Sequence, residues 1–389
     1  MGEWKEYLFT EAASLTNGRA YLQHELQSNG KYRIVRVGNL SGGDKWFYSD
    51  MELPENKYCN KGDLLYAWAC SFGPYLWSGD KTIYHYHIWK VDVISTIADK
   101  IFLYYYLKFY TPKWMGLTNG SVMMHITKSS LEKQKIFLPS LQTQQKISSI
   151  LSSVHEKIAV NCRICQNLEE QAQALFKHWF VDFAPFKDGK FVESELGMIP
   201  EGWRVQSLTD IAEYLNGLAM QKFPPQSEDD AIPVLKIKEL GQSFCDNNSD
   251  KCTRNIKPEY VIHDGDVIFS WSGTLMVDIW CGGICGINQH LFKVTSTLYP
   301  KWFYLMWTKH HLAEFIRIAK DKAVTMGHIK RGDLDKALVL IPDDASFAKM
   351  TSLMNDIIDK IVSLRLESSR LVTLRDTLLP KLMSGQIKI

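Results

Sequence analysis

A seam of mostly apolar residues runs in alternating steps of four and three through Ile147, Leu151, Val154, Ile158, Asn161, Cys165, Leu168, Ala172, Leu175 and Trp179. A second seam with the same steps holds Met350, Met354, Ile357, Ile361, Leu364, Ser368, Leu371, Arg375, Leu378 and Leu382. Steps averaging 3.5 residues, kept for about four heptads, predict two long helices packed as a coiled coil. Pro139 and Pro342 stand just ahead of them, where proline is tolerated and continuation of a strand is not. An antiparallel pairing that sets Ile147 opposite Leu382 places Asn161 against Ser368. Such a polar layer fixes register at some cost in stability. The same pairing places Val154 against Arg375, a poorer match.

Outside the seams the apolar residues come in short β-branched and aromatic runs punctuated by Gly, Asn and Pro. Residues 34–37, 63–68 and 136–138 read as strands. Residues 102–110 and 302–309 read better as helices. These runs occur twice. Gly62-Asp63-Leu64-Leu65-Tyr66-Ala67-Trp68 returns as Gly265-Asp266-Val267-Ile268-Phe269-Ser270-Trp271, an offset of 203. At the same offset His87-Ile88-Trp89-Lys90-Val91 returns as His290-Leu291-Phe292-Lys293-Val294, and the His125 motif as the His328 motif. Asn17-Gly18 matches Asn216-Gly217 at a slightly shorter offset. A chain built twice from one unit follows.

The expected class is therefore α+β: two similar mixed α/β globules separated by two long antiparallel coiled-coil helices, a pseudo-twofold internal repeat. The first globule takes residues 1–139 and the first long helix 140–184. A turn-rich linker covers 185–199 and the second globule 200–342, leaving 343–389 for the second long helix and a C-terminal segment. A chain of 389 residues fits this division better than a single domain.

Composition adds limits. The balance of 45 basic to 43 acidic residues leaves a formal charge of +2, so a nucleic-acid binder must gather its basic side chains on one face. Met1-Gly2-Glu3-Trp4-Lys5-Glu6 is charged and leads into no apolar stretch, and no run suits a membrane span, so a reducing cytoplasm is expected. Cys162 and Cys165 fall mid-helix, and Cys281 and Cys285 have three residues between them, so free buried thiols are expected rather than a zinc site. No glycine-rich cofactor loop or phosphate loop is present. The one Pro-Pro pair, Pro224-Pro225, lacks the flanking residues of an adenine-methylating motif. Glu55-Asn56-Lys57 lacks the upstream Pro-Asp of a nuclease. No catalytic residue is expected.

Three segments carry a family resemblance. Residues 136–141 followed by Gln144-Gln145-Lys146-Ile147 look like the entry to a conserved helix, although Thr143 stands where an acidic residue is usual. Residues 194–203, from Ser194 to Trp203, look like a junction into a second recognition domain, and residues 378–387 like a C-terminal segment. In this order, on this repeat, the chain resembles the specificity subunits of type I restriction–modification systems. The resemblance implies that the globules are target-recognition domains, each reading half of a bipartite double-stranded DNA sequence. It implies that the helices space the halves and dock two adenine-methyltransferase subunits. It also implies that S-adenosylmethionine belongs to that partner, and ATP with Mg to a restriction subunit where one is present. The seam from 147 to 179 spans 33 residues, about 50 Å of helix at ~1.5 Å per residue. That length is about one and a half turns of duplex at ~35 Å per turn.

Phosphate contacts need Lys or Arg, and base discrimination needs forked donors or amides. The candidates are Arg19 and Lys222 beside the Asn-Gly turns, Arg36, Lys236 and Lys238 in the matched strand region, and Lys322, Lys330 and Arg331 around His328. The repeated Gly-Asp run and the two histidines read as structural. With so little net charge, the isolated chain is expected to bind DNA weakly. Two other readings stay open: a two-headed scaffold for protein partners, and an orphan subunit of degraded function.

Overall fold

A computed structural model describes residues 4–115, 126–321, 327–387 and 389. The chain divides into two compact units, Met1–Glu156 with Thr373–Ile389, and Lys157–Val372. The division falls inside the two long helices rather than at their ends. Each unit therefore owns one globule and a segment of both helices.

Among the described residues, unit 1 holds two four-stranded sheets. One runs in the order Ala13–Asn17, Ile88–Val93, Leu64–Ala67, Gly73–Leu76, and is antiparallel throughout. The other runs Phe47–Ser49, Tyr32–Val35, Thr82–Tyr84, Tyr58–Cys59, with its central pair parallel. Unit 2 repeats both, as Glu213–Asn216, Leu291–Thr295, Val267–Ser270, Met276–Ile279 and as Lys251–Thr253, Ala231–Leu235, Cys285–Ile287, Val261–Ile262. Its Val234↔Gly286 pairing is parallel, as is Ile34↔Ile83. Each globule is closed by its own first and last strands, Lys5–Leu8 on Lys135–Leu138 and Arg204–Ser207 on Leu338–Ile341.

The repeated Gly-Asp run sits at the centre of this design. Leu64 and Tyr66 face one core with Phe102 and Leu103, while Leu65 and Ala67 face another with Val35 and Tyr84. A strand buried on both faces has no polar side to alternate, so its sequence is a continuous apolar run. The glycines entering it, Gly62 and Gly265, have φ of 88° and 91°, a region open mainly to glycine. The following aspartates accept main-chain hydrogen bonds from Asn60 and His263 at 2.9 Å. The Ile34 run is strand only to Val35; a short helix, Val37–Leu40, follows it.

The long helices are Leu141–Phe180 and Asp344–Met383, each shorter than its expected segment. Every seam position is buried or half-buried. In unit 2 the helix segments run antiparallel, since Asn161 meets Glu367 and Ser368 while Cys165 Sγ reaches the Ile361 carbonyl. Asn161 Nδ2 donates to Ser368 Oγ at 3.3 Å and to Glu367 Oε2 at 2.8 Å; its Oδ1 is buried without a partner. Arg365 ties Glu169 of the first helix (2.6 Å) to Asp278 and the Ile279 carbonyl of the globule (2.9 Å each). In unit 1 the Arg375 guanidinium turns to its neighbour Asp376 at 2.8 Å. The seam residues Ile147, Leu151 and Leu382 join the unit 1 core there.

Gln144 explains the helix entry. Its side chain accepts from Asp99 N (2.9 Å) and donates to the Ile97 and Pro139 carbonyls (3.0 and 2.9 Å), with no exposed surface. Phe347, at the matching place in unit 2, packs instead on Tyr299, Trp302 and Phe303. Two further expectations need correction. The linker contains a hairpin, Phe191–Ser194 with Gly197–Pro200, because Gly197 takes φ of 85° and Phe191 packs edge-on against Phe183. Not every thiol is buried: all eight are free, but Cys70 and Cys162 are exposed, the latter because it lies off the seam.

Asn161→Leu should raise stability by about 1 kcal/mol, because it removes a buried unpaired oxygen; a lower melting temperature would contradict this account. Gln144→Leu should cost about 3 kcal/mol by orphaning three backbone groups, read as an earlier denaturant midpoint at unchanged slope.

Candidate nucleic-acid interface

Where the two sheets of each globule meet, a turn joins the parallel central strand to the long antiparallel one. In unit 1 it is His85-Tyr86-His87, and in unit 2 Asn288-Gln289-His290. The same main-chain bonds hold both. His85 N donates to Val35 O at 2.9 Å, and Asn288 N to Leu235 O at 3.1 Å. Arg19 N donates to Tyr84 O and Leu218 N to Ile287 O, both at 3.0 Å. Trp68 N reaches His87 O at 3.1 Å, and Trp271 N reaches His290 O at 3.4 Å. The approach is so close that a Cβ on Gly18 or Gly217 would stand 2.3 Å from the carbonyl oxygen of His85 or Asn288. The glycines of the repeated Asn-Gly pairs are thus dictated by contact with this turn.

The side chains on this shared frame differ. In unit 1 three rings lie against one another, with centroids 4.6 Å apart for His85 and Tyr86 and 3.9 Å for Tyr86 and His87. Trp68 meets His87 edge-on at 5.0 Å. Burial first, then the nearby charges of His87 and Arg36, push His85 down to about 4. Burial and Arg36 lower His87 as well. In unit 2 the Asn288 side chain accepts the His290 backbone N–H at 3.3 Å, and Gln289 Nε2 lies 3.5 Å from His290 Nε2. Trp271 Nε1 donates to Asn216 Oδ1 at 3.0 Å.

Of the sequence-derived candidates, Arg19, Arg36 and Lys236 lie beside these turns. Arg19 bridges to His85 through the backbone, but its guanidinium is held by both oxygens of Glu25, at 2.7 and 3.0 Å. Arg36 follows the strand that holds His85; it is exposed, stacks over Phe47 at 5.2 Å, and has no carboxylate partner among the described residues. Its counterpart Lys236 is bound to Asp250, and Lys238 to Asp246 at 3.2 Å. Lys222 is exposed on the short turn Met220–Lys222, soon after Gly217. Lys330 and Arg331 are exposed just beyond Ile329, whose N–H bonds the Trp271 carbonyl at 3.2 Å. Lys322 and His125 lie outside the described residues. His328 pairs in a bridge with Ser272 and meets Trp271 edge-on. Lys90 and Lys293, repeated in both copies, are structural: each donates to a carbonyl of the facing sheet, at Tyr58 and Val261. The turn residues themselves were not singled out in the sequence. The signal was there, in unlike polar triplets ending at the matched histidines.

Among the described residues, no three His, Cys, Asp or Glu side chains cluster as a metal site, and no helix is long and apolar enough to cross a membrane. What each unit presents is an edge of aromatic, amide and basic groups on one backbone frame built twice. The chain belongs to the family described as type I restriction modification DNA specificity domain, whose model matches residues 1–170 and 200–365. It is 29% identical over 299 residues to the MjaIX specificity subunit of Methanocaldococcus jannaschii, covering 74% of this chain and 69% of that one. It is 21% identical to the HindI specificity subunit of Haemophilus influenzae over the full length of both. The fold is shared with the S subunit of a type I restriction–modification system from M. genitalium, with a TM-score of 0.59, 15% identity, and coverage of 97% and 96%.

The histidines give a pH signature. Unfolded His85 takes up a proton near about pH 6.5, whereas folded His85 resists until about 4. The unfolded state binds more protons in that window, so stability falls as pH falls through it. His85→Asn, which installs the residue of unit 2, should lose less melting temperature than the parent between about pH 7 and 5. Equal losses would show that His85 is not the cause.

Proposed function

We propose that this chain performs no chemistry itself, and that each unit reads one half of a bipartite DNA target for partner enzymes. The supporting observation is one backbone frame, built twice, that displays His-Tyr-His in one unit and Asn-Gln-His in the other. Readers of unlike half-sites need a constant scaffold and variable polar edges, because phosphate contacts position a protein while base edges specify sequence. The two long helices, shared by both units, set the gap between half-sites and dock two adenine-methyltransferase subunits. S-adenosylmethionine is bound by those partners, and ATP with Mg by a restriction subunit when one joins. The assembly works in the cytoplasm.

Co-expression with a cognate adenine methyltransferase, followed by single-molecule mapping of N6-methyladenine, tests this reading. A bipartite motif with a fixed gap is expected, and replacing residues 1–139 with those of another family member should change one half only. Absence of any motif, with a stable complex and a competent methylase, would favour a protein scaffold or a degraded subunit. Duplex binding by the complex should also weaken steeply with salt, as phosphate neutralisation requires.

A further inference from the structure

The two turns differ in the kind of hydrogen-bonding group they leave unused. In unit 2 Asn288 is spent on the turn: it is 8% exposed and its amide oxygen accepts a backbone N–H. Gln289 is not spent. It is half-buried, its amide nitrogen touches only His290 Nε2 at 3.5 Å, and its carbonyl oxygen takes no hydrogen bond from the described residues. One contact through nitrogen leaves an N–H and the oxygen, a donor and an acceptor side by side. That pair matches adenine in the major groove, where N7 accepts and the N6 amino group donates. The nearby basic position is silent, since Lys236 is neutralised by Asp250.

Unit 1 inverts this arrangement. Its turn carries rings rather than an amide, and the basic position beside it is open. The Arg36 guanidinium lacks a carboxylate partner among the described residues, is braced over the Phe47 ring, and follows the strand that hydrogen-bonds His85. A braced fork of donors matches the two acceptors of guanine, O6 and N7.

We propose that the turn and the basic position beside it form the base-reading element of each frame, with Gln289 reading an adenine in one half-site and Arg36 reading a guanine in the other. This rests on the two-half-site reading above. The co-expressed complex tests it. With the parent chain the motif should contain a fixed adenine besides the methylated one in the half read by unit 2 and a fixed guanine in the half read by unit 1, the halves being told apart by the 1–139 replacement. Gln289→Ala should make that adenine degenerate, with preference falling about tenfold, while the gap and other half stay intact. Gln289→Glu keeps the acceptor and loses the donor, so preference should move toward cytosine, whose amino group donates. Arg36→Ala should release only the guanine.

Variants that methylate the parent motif with both halves fully specified would overturn the assignment. So would a variant that abolishes all methylation at an unchanged melting temperature, which would place the residue in general DNA affinity. If Gln289→Ala melts early, Gln289→Glu, of nearly the same size, decides by the same criteria. A parent complex with no bipartite motif would instead sink the two-half-site reading itself.

Discussion

Main-chain hydrogen bonding around one turn organises each globule. Several of the turn's donors and acceptors are taken by the neighbouring strands and by the Trp68 or Trp271 backbone, and the Asn-Gly segment is pressed against it. Because these main-chain bonds recur in both units, the turn keeps its course under different side chains. His-Tyr-His and Asn-Gln-His therefore ride on the same geometry. A recognition surface can change its chemistry without renegotiating the fold, provided that glycine keeps the close approach at 18 and 217.

The helices follow a different economy. Their seams are apolar except at a few layers, and those layers are where contacts become specific. Asn161 chooses Ser368 and Glu367, and Arg365 chooses Glu169 and Asp278. Burial alone would lower the Arg365 pKa, but the two carboxylates outweigh it and raise it. Polar groups in such places contribute little net stability and much discrimination, because the wrong register leaves them unpaired. The two helix entries reach firm anchorage by unlike means, an amide network around Gln144 and an aromatic cluster around Phe347.

Electrostatics explains how a chain of near-zero net charge suits nucleic acid. Several surface lysines and arginines are matched by carboxylates close in sequence, as Arg19 is by Glu25 and Lys238 by Asp246. Such pairs reduce long-range attraction. Arg36, by contrast, has no carboxylate partner among the described residues and keeps its charge beside the turn.

The sequence by itself determined the repeat, the long helices and their seams, the central Gly-Asp strand, and the family. Each of these is written in periodicity or in a motif whose spacing survives folding. It also pointed to Arg36, Lys236, Lys330 and Arg331 as basic residues flanking the repeated motifs. It left out the hairpin in the linker, which depends on Gly197 and on packing against Phe183. Only the tertiary structure decided which charges are already paired, because Glu25 and Asp250 meet their partners through turns that periodicity does not describe. The two matched turns came from the same source. Strands distant in sequence converge on residues 85–87 and 288–290, and hydrogen bonding there separates the amide that is spent, Asn288, from the one left open, Gln289.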